Sequence, residues 1–491
     1  MGRQQPNILF ILIDDLGWRD LSCYGSTFYE TPNIDRLCGQ GLKFTNAYAA
    51  CPVCSPTRAS ILTGKYPATV GVTNYIDWKG GNHPAKGKLV DVSYFRELPL
   101  TERSLARTLQ QNGYATWHVG KWHLGDKPCY PQHHGFDINI GGCAQGTPGR
   151  GGHFSPWEIE ALKDVDVPDG TYLSDYLTDR AIELLESQKD DDKPFFLNMW
   201  YYAVHAPVQA KPEKIAKYEE KAKKLGLDKV DPFVTGGFYS ADHIKHKRIK
   251  RRIVQSDPVF AAMVESLDEN VGRLLDALEA SGKAEETLVV FTSDNGGLSS
   301  ANVSPTCNAP LAEGKGWMYD GGVREPLFVR WPGVVQEGTT TEALVSSPDF
   351  YPTLLDAAGL PHQPEQHCDG ESFFDLLAGR AWSRNEPLFW HYPHYSNAGC
   401  TPGASIRDGD WKLVEFFEDS RIELYNLAED IGEENDLAVS RPEKASELRD
   451  KLHAWQQKVL AKLPAANPDF VDYPDREGPG RRPVTYVSPP V

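Results

Sequence analysis

The sequence predicts an α/β fold in which a mixed, mostly parallel sheet is sandwiched by helices. Short apolar runs rich in β-branched and aromatic residues alternate with helical patterns over most of the chain, as expected for strands buried on both faces. The candidate strands are residues 8–13, 115–119, 195–202, 288–292 and 327–329. Beyond about residue 375 the pattern changes, so we predict two units, residues 1–375 and a smaller α+β subdomain of residues 376–491.

The first predicted strand, residues 8–13, runs directly into Asp14 and Asp15. Its length also suits the apolar core of a signal peptide, but no small-residue cleavage site follows it. We therefore interpret it as a buried strand that ends in two carboxylates. The sequence leaves the compartment open, and the protein would be periplasmic or secreted if an export signal preceded this chain.

A long helix and the strand after it are predicted from their boundaries. Asp257 and Pro258 suit an N-cap and a first helical position, and apolar residues then recur at helical spacing. The strand at 288–292 follows and delivers Asp294 and Asn295 at its carboxyl end. Ligands of open α/β sheets gather at that edge.

The C-terminal region has a different sequence pattern. Residues 387–392 and 411–417 are short aromatic segments typical of antiparallel strands, and residues 442–462 have a helical pattern. From residue 464 onward proline and glycine are frequent, which predicts an irregular tail.

The charge of the chain excludes whole classes of partner. Its 491 residues include 68 acidic and 51 basic side chains, and the net charge of −17 opposes binding to nucleic acid or to an anionic membrane surface. No apolar run approaches the roughly 20 residues needed to span a bilayer. Positive charge is concentrated in residues 211–224 and 243–252. Because neither stretch interleaves aromatic residues in the manner of a groove that binds single-stranded nucleic acid, we interpret both as solvated helical faces.

The segment from Cys54 to Gly64 carries the most specific pattern in the chain. It reads Cys-Ser-Pro-Thr-Arg-Ala-Ser-Ile-Leu-Thr-Gly and sets a small nucleophile beside a helix start, where backbone N–H groups favour an anion. Cys51 and Cys54 could instead form a redox pair or half of a zinc site, but no second C-x-x-C or nearby histidine pair completes four ligands. A buried structural cysteine would explain neither Pro56 nor Arg58.

Oxygen donors follow two of the predicted strands. Asp14 and Asp15 close the first strand, and Asp294 and Asn295 close a later one. Such donors suit a hard divalent cation, Ca²⁺ in a roomy site or Mg²⁺ in a tight octahedral one. An Asp-Asp pair alone is more often a helix cap or a turn, but the second pair after another strand favours a metal site.

Lysine and histidine residues follow other predicted strands. Lys121 and His123 lie two residues apart, which puts them on the same side of a segment predicted to be extended. A cation beside an imidazole suits an anionic ester, because one neutralises charge while the other moves a proton. The same two roles suit Lys315 and His205. Taken singly, however, such a lysine is more often a surface residue and such a histidine more often a core residue.

The order of these motifs along the chain resembles that of the formylglycine-dependent type I sulfatases, whose fold is alkaline-phosphatase-like. Further matching segments are residues 6–9, 31–35, 135–137, 321–326, 349–353 and 423–427. Position 57 is Thr where the family more often has Ser. The resemblance covers nearly the whole chain and implies that residues 1–375 form the catalytic domain of a sulfuric ester hydrolase.

The resemblance also implies a role for each site residue. Cys54 would be oxidised to formylglycine by a formylglycine-generating or anaerobic maturation enzyme, and the hydrated aldehyde would attack sulfur. The implied Ca²⁺ ligands are Asp14, Asp15, Asp294, Asn295 and the modified Cys54, and the implied catalytic residues are Cys54, Arg58, Lys121, His123, His205 and Lys315. The cations would bind the sulfate group. His205, aided by Lys315, would protonate the leaving alcohol, and His123 would accept the proton that lets sulfate depart.

The implied partner is a sulfated glycan, cleaved in the exo mode at galactose or N-acetylgalactosamine units. Residues between the core motifs would line the sugar subsites, because aromatic faces and imidazoles suit sugar rings and hydroxyl groups. These candidates are Trp78, His133, His134, His153, His391 and His394. The alternatives are an arylsulfatase, a phosphonate or phosphodiester hydrolase on the same fold, and a carbohydrate-binding or scaffold protein without activity.

Overall fold

The structure is a computed structural model that describes residues 5–76, 87–300, 304–396 and 398–470. Its strands are β1 (Asn7–Ile13), β2 (Leu42–Tyr48), β3 (Leu89–Val90), β4 (Ala115–Gly120), β5 (Ile138–Ile140), β6 (Phe195–Trp200), β7 (Phe233–Phe238), β8 (Arg248–Arg252), β9 (Thr287–Ser293), β10 (Arg324–Arg330), β11 (Thr339–Thr341), β12 (Val345–Ser346), β13 (Leu388–Tyr392), β14 (Gly403–Asp408), β15 (Trp411–Phe416), β16 (Ile422–Asn426) and β17 (Ala465–Ala466). Its α-helices are α1 (Pro32–Gly39), α2 (Cys54–Thr63), α3 (Pro67–Val70), α4 (Leu105–Gln111), α5 (Leu173–Ser187), α6 (Pro212–Lys224), α7 (Pro258–Ala280), α8 (Asp320–Val323), α9 (Phe350–Ala357), α10 (Phe374–Leu377) and α11 (Pro442–Lys458). Among the described helices, none combines the length and the apolar character needed to cross a bilayer.

A nine-stranded sheet lies at the centre of the molecule. Its order is β11-β2-β10-β9-β1-β6-β4-β5, and β12 pairs with β2. Strand β1 is parallel to both β9 and β6, and β4 is parallel to β6 and β5. Only β10, within this sheet of described strands, runs antiparallel to its neighbours β9 and β2. The predicted mixed, mostly parallel sheet is confirmed, and the carboxyl ends of four strands meet at one edge.

Strand β1 is held between two hydrophobic cores. Its odd-numbered residues from Leu9 to Ile13 pack with α1, α5, α6 and α7, and its even-numbered residues from Ile8 to Leu12 pack with α2, α4 and α9. All are fully buried, and each such side chain contributes about 1.5–3 kcal/mol through burial. The helices therefore sandwich the sheet as predicted, and the loop after β1 leaves from a rigid strand.

The predicted long helix is α7. The side chain of Asp257 accepts hydrogen bonds from the backbone N–H groups of Val259 and Phe260, and Pro258 is the first helical residue. Both satisfy the requirements of a helix N-terminus. Strand β9 follows after one short turn, so the predicted αβ unit is confirmed.

A second, antiparallel sheet forms the C-terminal region, with the order β13-β14-β15-β16 and helix α11 packed on it. The strands predicted at residues 387–392 and 411–417 are present as β13 and β15, but α11 ends at Lys458 rather than at residue 462. The boundary between residues 375 and 376 stays a prediction. Of the predicted irregular tail, β17 pairs with β3, and residues 471–491 lie outside the described residues.

The two basic stretches differ in structure. Residues 212–224 form helix α6, as predicted, but residues 243–252 do not form a helical face. Strand β8 pairs with β7 in an antiparallel hairpin, in which Arg248 and Lys250 lie over the rings of Phe238 and Phe233. The prediction failed because the aromatic rings belong to the partner strand, beyond the reach of a local pattern.

Candidate active site

Four loops meet at the carboxyl edge of the central sheet. Asp14 directly follows β1, Lys121 follows β4, and Asp294 follows β9, while His205 lies in the loop after β6. The backbone N–H of Asp14 donates to the carbonyl oxygen of Ala203 over 3.0 Å, which ties the loop after β1 to the loop after β6. Side chains far apart in the sequence therefore converge here. We call the site cluster Asp14, Asp15, Cys54, Arg58, Lys121, His123, His205, Asp294, Asn295 and Lys315.

Cys54 is the first residue of α2 and is buried. Its Sγ lies 3.3 Å from Nδ1 of His123. Ligand atoms of Asp14, Cys54 and Asp294 all lie within 4.8 Å of one another. Burial raises the pKa of the Cys54 thiol, although nearby Lys121 opposes this shift.

The oxygen donors of the site cluster lie together but are not all satisfied. Nδ2 of Asn295 donates to Oδ1 of Asp15 over 2.8 Å, and the backbone N–H of Asp15 donates to Oδ1 of Asp294 over 3.3 Å. Among the described residues, Oδ1 of Asp14 and Oδ1 of Asn295 are buried without a hydrogen-bond partner. Buried oxygens without partners are rare in proteins, and here they point to a ligand between these groups.

Three cations face the three carboxylates, and of these Arg58 and Lys121 are fully buried while Lys315 is mostly buried. Nζ of Lys121 lies 2.5 Å from Asp14, and Nη2 of Arg58 lies 2.7 Å from Asp294. Nζ of Lys315 lies 2.6 Å from Asp15. Burial would raise the pKa of Asp15, but Lys315 and then His205 outweigh it and lower that pKa. The cluster therefore holds dense charge of both signs away from solvent.

The hydrogen bonds of His123 fix its tautomer. Nε2 lies 2.9 Å from the carbonyl oxygen of Ile76, and since a carbonyl only accepts, Nε2 carries the hydrogen. Nδ1 is then an unprotonated acceptor that faces Sγ of Cys54. Burial, followed by the charge of Lys121, lowers the pKa of His123 well below its ordinary value. The ring is neutral and presents a base to residue 54.

His205 has the opposite tautomer. Nδ1 lies 2.7 Å from the carbonyl oxygen of Ala206 and therefore donates, which leaves Nε2 as the acceptor. Nε2 lies 3.6 Å from Oδ2 of Asp15. Burial and then Lys315 lower the pKa of His205 to about 3, so this ring is also neutral at ordinary pH.

The backbone around the site is strained at three residues with side chains. Asp15 (φ 63°), His123 (φ 57°) and Glu313 (φ 57°) have left-handed conformations, which cost roughly 1 kcal/mol or more for such residues and concentrate at functional sites. The segment is therefore not extended at His123, contrary to the prediction, although Lys121 and His123 both reach the site cluster. The turn at His123 directs its ring to Cys54, while Lys121 reaches Asp14.

The chain matches the family model described as Sulfatase over residues 6–360. It belongs to the sulfatase family. A second model, described as N-sulphoglucosamine sulphohydrolase, C-terminal, matches residues 313–461. The protein is therefore a sulfuric ester hydrolase, and the alkaline-phosphatase-like fold that the resemblance implied is confirmed.

Similar proteins cover most of this sulfatase. A sulfatase of Formosa agariphila is 34% identical and covers 97% of this chain and 93% of its own length. Human N-acetylgalactosamine-6-sulfatase is 32% identical over 79% of this chain and 68% of its own length. The crystal structure of Ps i-CgsB in complex with k-i-k-neocarrahexaose is 27% identical, covers 96% of this chain and 95% of that chain, and superposes with a TM-score of 0.74.

The residues predicted to bind sugar lie in different environments. His153 adjoins the site cluster, because its Nε2 lies 3.0 Å from the backbone oxygen of His205. His133 is exposed, but His134 is fully buried against Trp122. Trp78, the other aromatic candidate, lies outside the described residues.

The two C-terminal candidates have partners within the protein. His391 lies 2.9 Å from the carbonyl oxygen of Lys462, and His394 is fully buried and bonded to Thr73 and Asp91. Enclosed rings with such partners are typical of core histidines. A contact of either with sugar stays a prediction.

One buried acid beside the site was missed by the sequence analysis. Both carboxylate oxygens of Glu325 are buried and, among the described residues, neither has a hydrogen-bond partner. Burial and then the charges of Asp294, Asp15 and Asp20 raise its pKa well above the ordinary value. Its segment, residues 321–326, matches the family pattern, but nothing local in the sequence marks a glutamate at the start of a strand as buried.

Proposed function

We propose that this sulfatase hydrolyses sulfate esters of carbohydrates with an oxygen nucleophile formed from Cys54 and with Ca²⁺ bound beside it. The observation that carries the proposal is the position of Cys54. Its Sγ lies 3.3 Å from Nδ1 of His123 and shares a group of atoms, all within 4.8 Å of one another, with carboxylates of Asp14 and Asp294. A precursor of the nucleophile, a base and metal ligands thus lie within reach of one sulfur atom.

The donor set suits Ca²⁺. The two buried oxygens without partners, on Asp14 and Asn295, need a cation or a donor between them. Together with Asp15 and Asp294 they would hold Ca²⁺ by oxygen atoms alone, which is the preference of a hard cation. When bound, Ca²⁺ would supply Lewis-acid polarisation of a sulfate oxygen.

The environment of Cys54 supports a precursor role. Burial raises the pKa of its thiol, so the thiolate that would be needed for direct attack is disfavoured. Conversion to formylglycine by a maturation enzyme would supply an oxygen nucleophile instead. The start of α2 adds backbone N–H donors beside that nucleophile.

The cations would bind the sulfate group. Arg58 is held by Asp294 and by the carbonyl oxygen of Lys121, at 3.0 Å from Nη1, so its guanidinium is fixed in place. Lys121 and Lys315 would contact sulfate oxygens and stabilise the charge that develops on them. Because Arg58 and Lys121 are fully buried and Lys315 is mostly buried, their field acts in a medium of low dielectric constant and is strong.

The two histidines would move protons at defined atoms. Nδ1 of His123 faces residue 54 and would accept a proton there, which lets sulfate depart. Nε2 of His205, near Asp15, carries no proton in the neutral ring. It would take one from the ammonium group of Lys315 and pass it to the departing alcohol. The opposite tautomers of the two rings direct the proton-accepting atom of each toward a different group, residue 54 for His123 and the Asp15 side for His205.

A carbohydrate substrate is supported by the relatives. Human N-acetylgalactosamine-6-sulfatase is named for a sulfated sugar, and Ps i-CgsB was solved with a neocarrahexaose. We propose exo hydrolysis at galactose or N-acetylgalactosamine units. Sulfate release from a panel of defined sulfated mono- and disaccharides tests this, with an aryl sulfate and a phosphodiester assayed in parallel. A higher kcat/KM for the aryl sulfate would overturn the sugar assignment, and a higher value for the phosphodiester would overturn the choice of sulfate chemistry.

The nucleophile is tested by mass and by a matched pair of substitutions. Formylglycine at Cys54 lowers the mass by about 18 Da, and active protein without this shift would refute the nucleophile. We expect Cys54→Ala to abolish sulfate release. The control Cys51→Ala, three residues earlier and equally buried, should leave it intact; loss in both variants would revive the redox-pair alternative.

A further inference from the structure

The β7–β8 hairpin carries positive charge that the protein does not neutralise. Lys247, Arg248 and Lys250 are exposed, and in the described part of the chain no carboxylate forms an ion pair with any of the three. The protein as a whole has a net charge of −17. An unpaired cationic surface on an acidic protein concentrates anions locally.

The other basic element, α6, is different. Lys214, Lys217 and Lys221 pair with carboxylates of Glu265 and Glu30 at 2.6–2.9 Å. These lysines are already neutralised by helix α7 and by the loop before α1. Among the described residues, the hairpin therefore has three exposed cations without a carboxylate partner, whereas most lysines of α6 are already paired.

The hairpin has two distinct faces. In β8, Ile249 and Arg251 are buried, whereas Arg248 and Lys250 point outward. The cation of Lys250 lies 4.4 Å from the ring centroid of Phe233, and that of Arg248 lies 4.7 Å from the centroid of Phe238. Stacking on rings holds these long side chains in place and lowers the entropy lost when they bind an anion.

The buried face of the hairpin joins it to the active site. Nε of Arg251 donates to Glu313 over 2.7 Å, two residues before Lys315. The backbone N–H of Arg252 donates to the carbonyl oxygen of Ser299 over 2.9 Å. The hairpin therefore adjoins the loop that brings Lys315 into the site.

The tip of the hairpin contacts the loop on the other side of that segment. The ring of His243 lies edge-on to Tyr395, 5.1 Å between centroids, and Ser396 in the same loop lies against Gly316. The backbone N–H of Gly316 in turn donates to the carbonyl oxygen of Pro52 over 2.8 Å. The hairpin is thus connected to the segment around Lys315 on both sides, directly through Glu313 and indirectly through the loop that contains Tyr395 and Ser396.

We propose that the outer face of this hairpin binds additional sulfate groups of a polysulfated oligosaccharide whose terminal sulfate ester occupies the active site. The inference rests on the proposed function and names its substrate class: a chain that carries several sulfate groups rather than an isolated monosulfated sugar. Lys247, Arg248 and Lys250 contact those groups, and the catalytic residues are unaffected by them.

The test compares two substrates with the same terminal sulfated sugar. One is a monosaccharide with a single sulfate, and the other is a hexasaccharide with a sulfate on each unit. In the variant Lys247→Gln/Arg248→Gln/Lys250→Gln we expect KM for the hexasaccharide to rise about tenfold, the sum of three exposed ionic contacts. Its kcat and both constants for the monosaccharide should stay within about twofold, since nothing in the site cluster changes.

A matched control removes the same charge elsewhere. The variant Lys189→Gln/Lys223→Gln/Lys224→Gln substitutes two exposed lysines of α6 and one exposed lysine just after α5. If it raises KM as much as the hairpin variant, the effect is the general field of the protein and the inference is overturned. The single substitutions Lys247→Gln and Lys250→Gln are each expected to raise KM for the hexasaccharide about twofold. They allow the test to be made even if the triple variant does not fold.

Two outcomes separate this inference from the proposed function. A hairpin variant with unchanged KM for the hexasaccharide, but normal turnover of the monosaccharide, overturns the inference and leaves the sulfatase activity intact. Failure of the wild-type protein to release sulfate from any saccharide overturns the proposed function itself. Equal inhibition of hexasaccharide hydrolysis by a sulfated and a desulfated hexasaccharide would also overturn the inference, because the hairpin would then recognise sugar and not sulfate.

Discussion

Two buried clusters of charge in this protein have opposite characters. The first is the site cluster, and the second, which we call the junction cluster, consists of Tyr48, Asp320, Arg324, Lys412 and Glu433 between the central sheet and the C-terminal sheet. In the junction cluster, Nζ of Lys412 lies 2.7 Å from Asp320 and 2.9 Å from Glu433. The hydroxyl group of Tyr48 donates to the remaining oxygen of Asp320 over 2.8 Å.

The two clusters differ in how completely their buried polar atoms are paired. In the junction cluster the side chain of Lys412 forms ion pairs with those of Asp320 and Glu433, which fixes the C-terminal sheet against the central one. The site cluster leaves oxygens of Asp14 and Asn295 without partners and strains its backbone at Asp15 and His123. Buried charge alone therefore does not mark a catalytic site. The site cluster is distinguished by two neighbouring oxygen donors that both lack partners and by the strained backbone beside them.

The substitution Asp14→Asn should have the largest effect on activity. We expect kcat/KM to fall about 1,000-fold, because a charged metal ligand and the partner of Lys121 are lost together. In the metal-free protein, burial raises the pKa of Asp14 to about 8 even though Lys121 opposes it, so the ionised carboxylate adds little stability there. An amide oxygen can still accept a hydrogen bond from Lys121, and we expect the free energy of unfolding to change by only about 1 kcal/mol. Steady-state kinetics and urea unfolding measure both quantities; activity within about tenfold of wild type would contradict a metal-ligand role.

The same substitution in the junction cluster, Asp320→Asn, should give the reverse result. Lys412 would keep only one of its two carboxylate partners, and we expect a loss of about 3 kcal/mol in the free energy of unfolding. The kcat and KM of the folded fraction should be unchanged. A variant that keeps its stability but loses turnover would show that the junction cluster takes part in catalysis after all.

Ca²⁺ should stabilise the protein by binding to the site cluster and not to the junction cluster. Ca²⁺ at a hundredfold excess over its dissociation constant stabilises a protein by about 2.7 kcal/mol, and we expect calorimetry to register that gain for chelator-treated wild type. The gain should persist in Asp320→Asn and be lost in Asp14→Asn. An equal gain in both variants would place the binding site elsewhere.

The smallest effect is expected at His391, one of the residues predicted to bind sugar. Its ring bonds to Lys462 and to Gln456, and we expect His391→Gln to cost about 1 kcal/mol of stability. The kcat/KM for the preferred saccharide should stay within about twofold. A larger loss that appears in KM alone would restore the sugar-binding role.

The sequence could predict the elements and the ends of the strands. Periodicity marked β1, β4, β6 and β9, and the polar residues after each strand identified Asp14, Lys121, His205 and Asp294. Such patterns are local, and parallel strands bring their carboxyl ends to one edge whatever the loops do. The candidates for sugar binding could not be assessed in this way. No local pattern distinguishes a buried histidine such as His134 from a histidine that lines a pocket.

What the sequence by itself determined was therefore the chemistry available and the edge of the sheet at which it would gather. Tertiary structure alone decided the pairing of Asp15 with Asp294, 279 residues apart, the turn that aims His123 at Cys54, and the burial of Glu325. It also turned the basic stretch at 243–252 into a hairpin with its cations stacked on a partner strand. Each of these depends on contacts between distant segments, and burial, tautomer and charge pairing are properties of such contacts rather than of any local pattern.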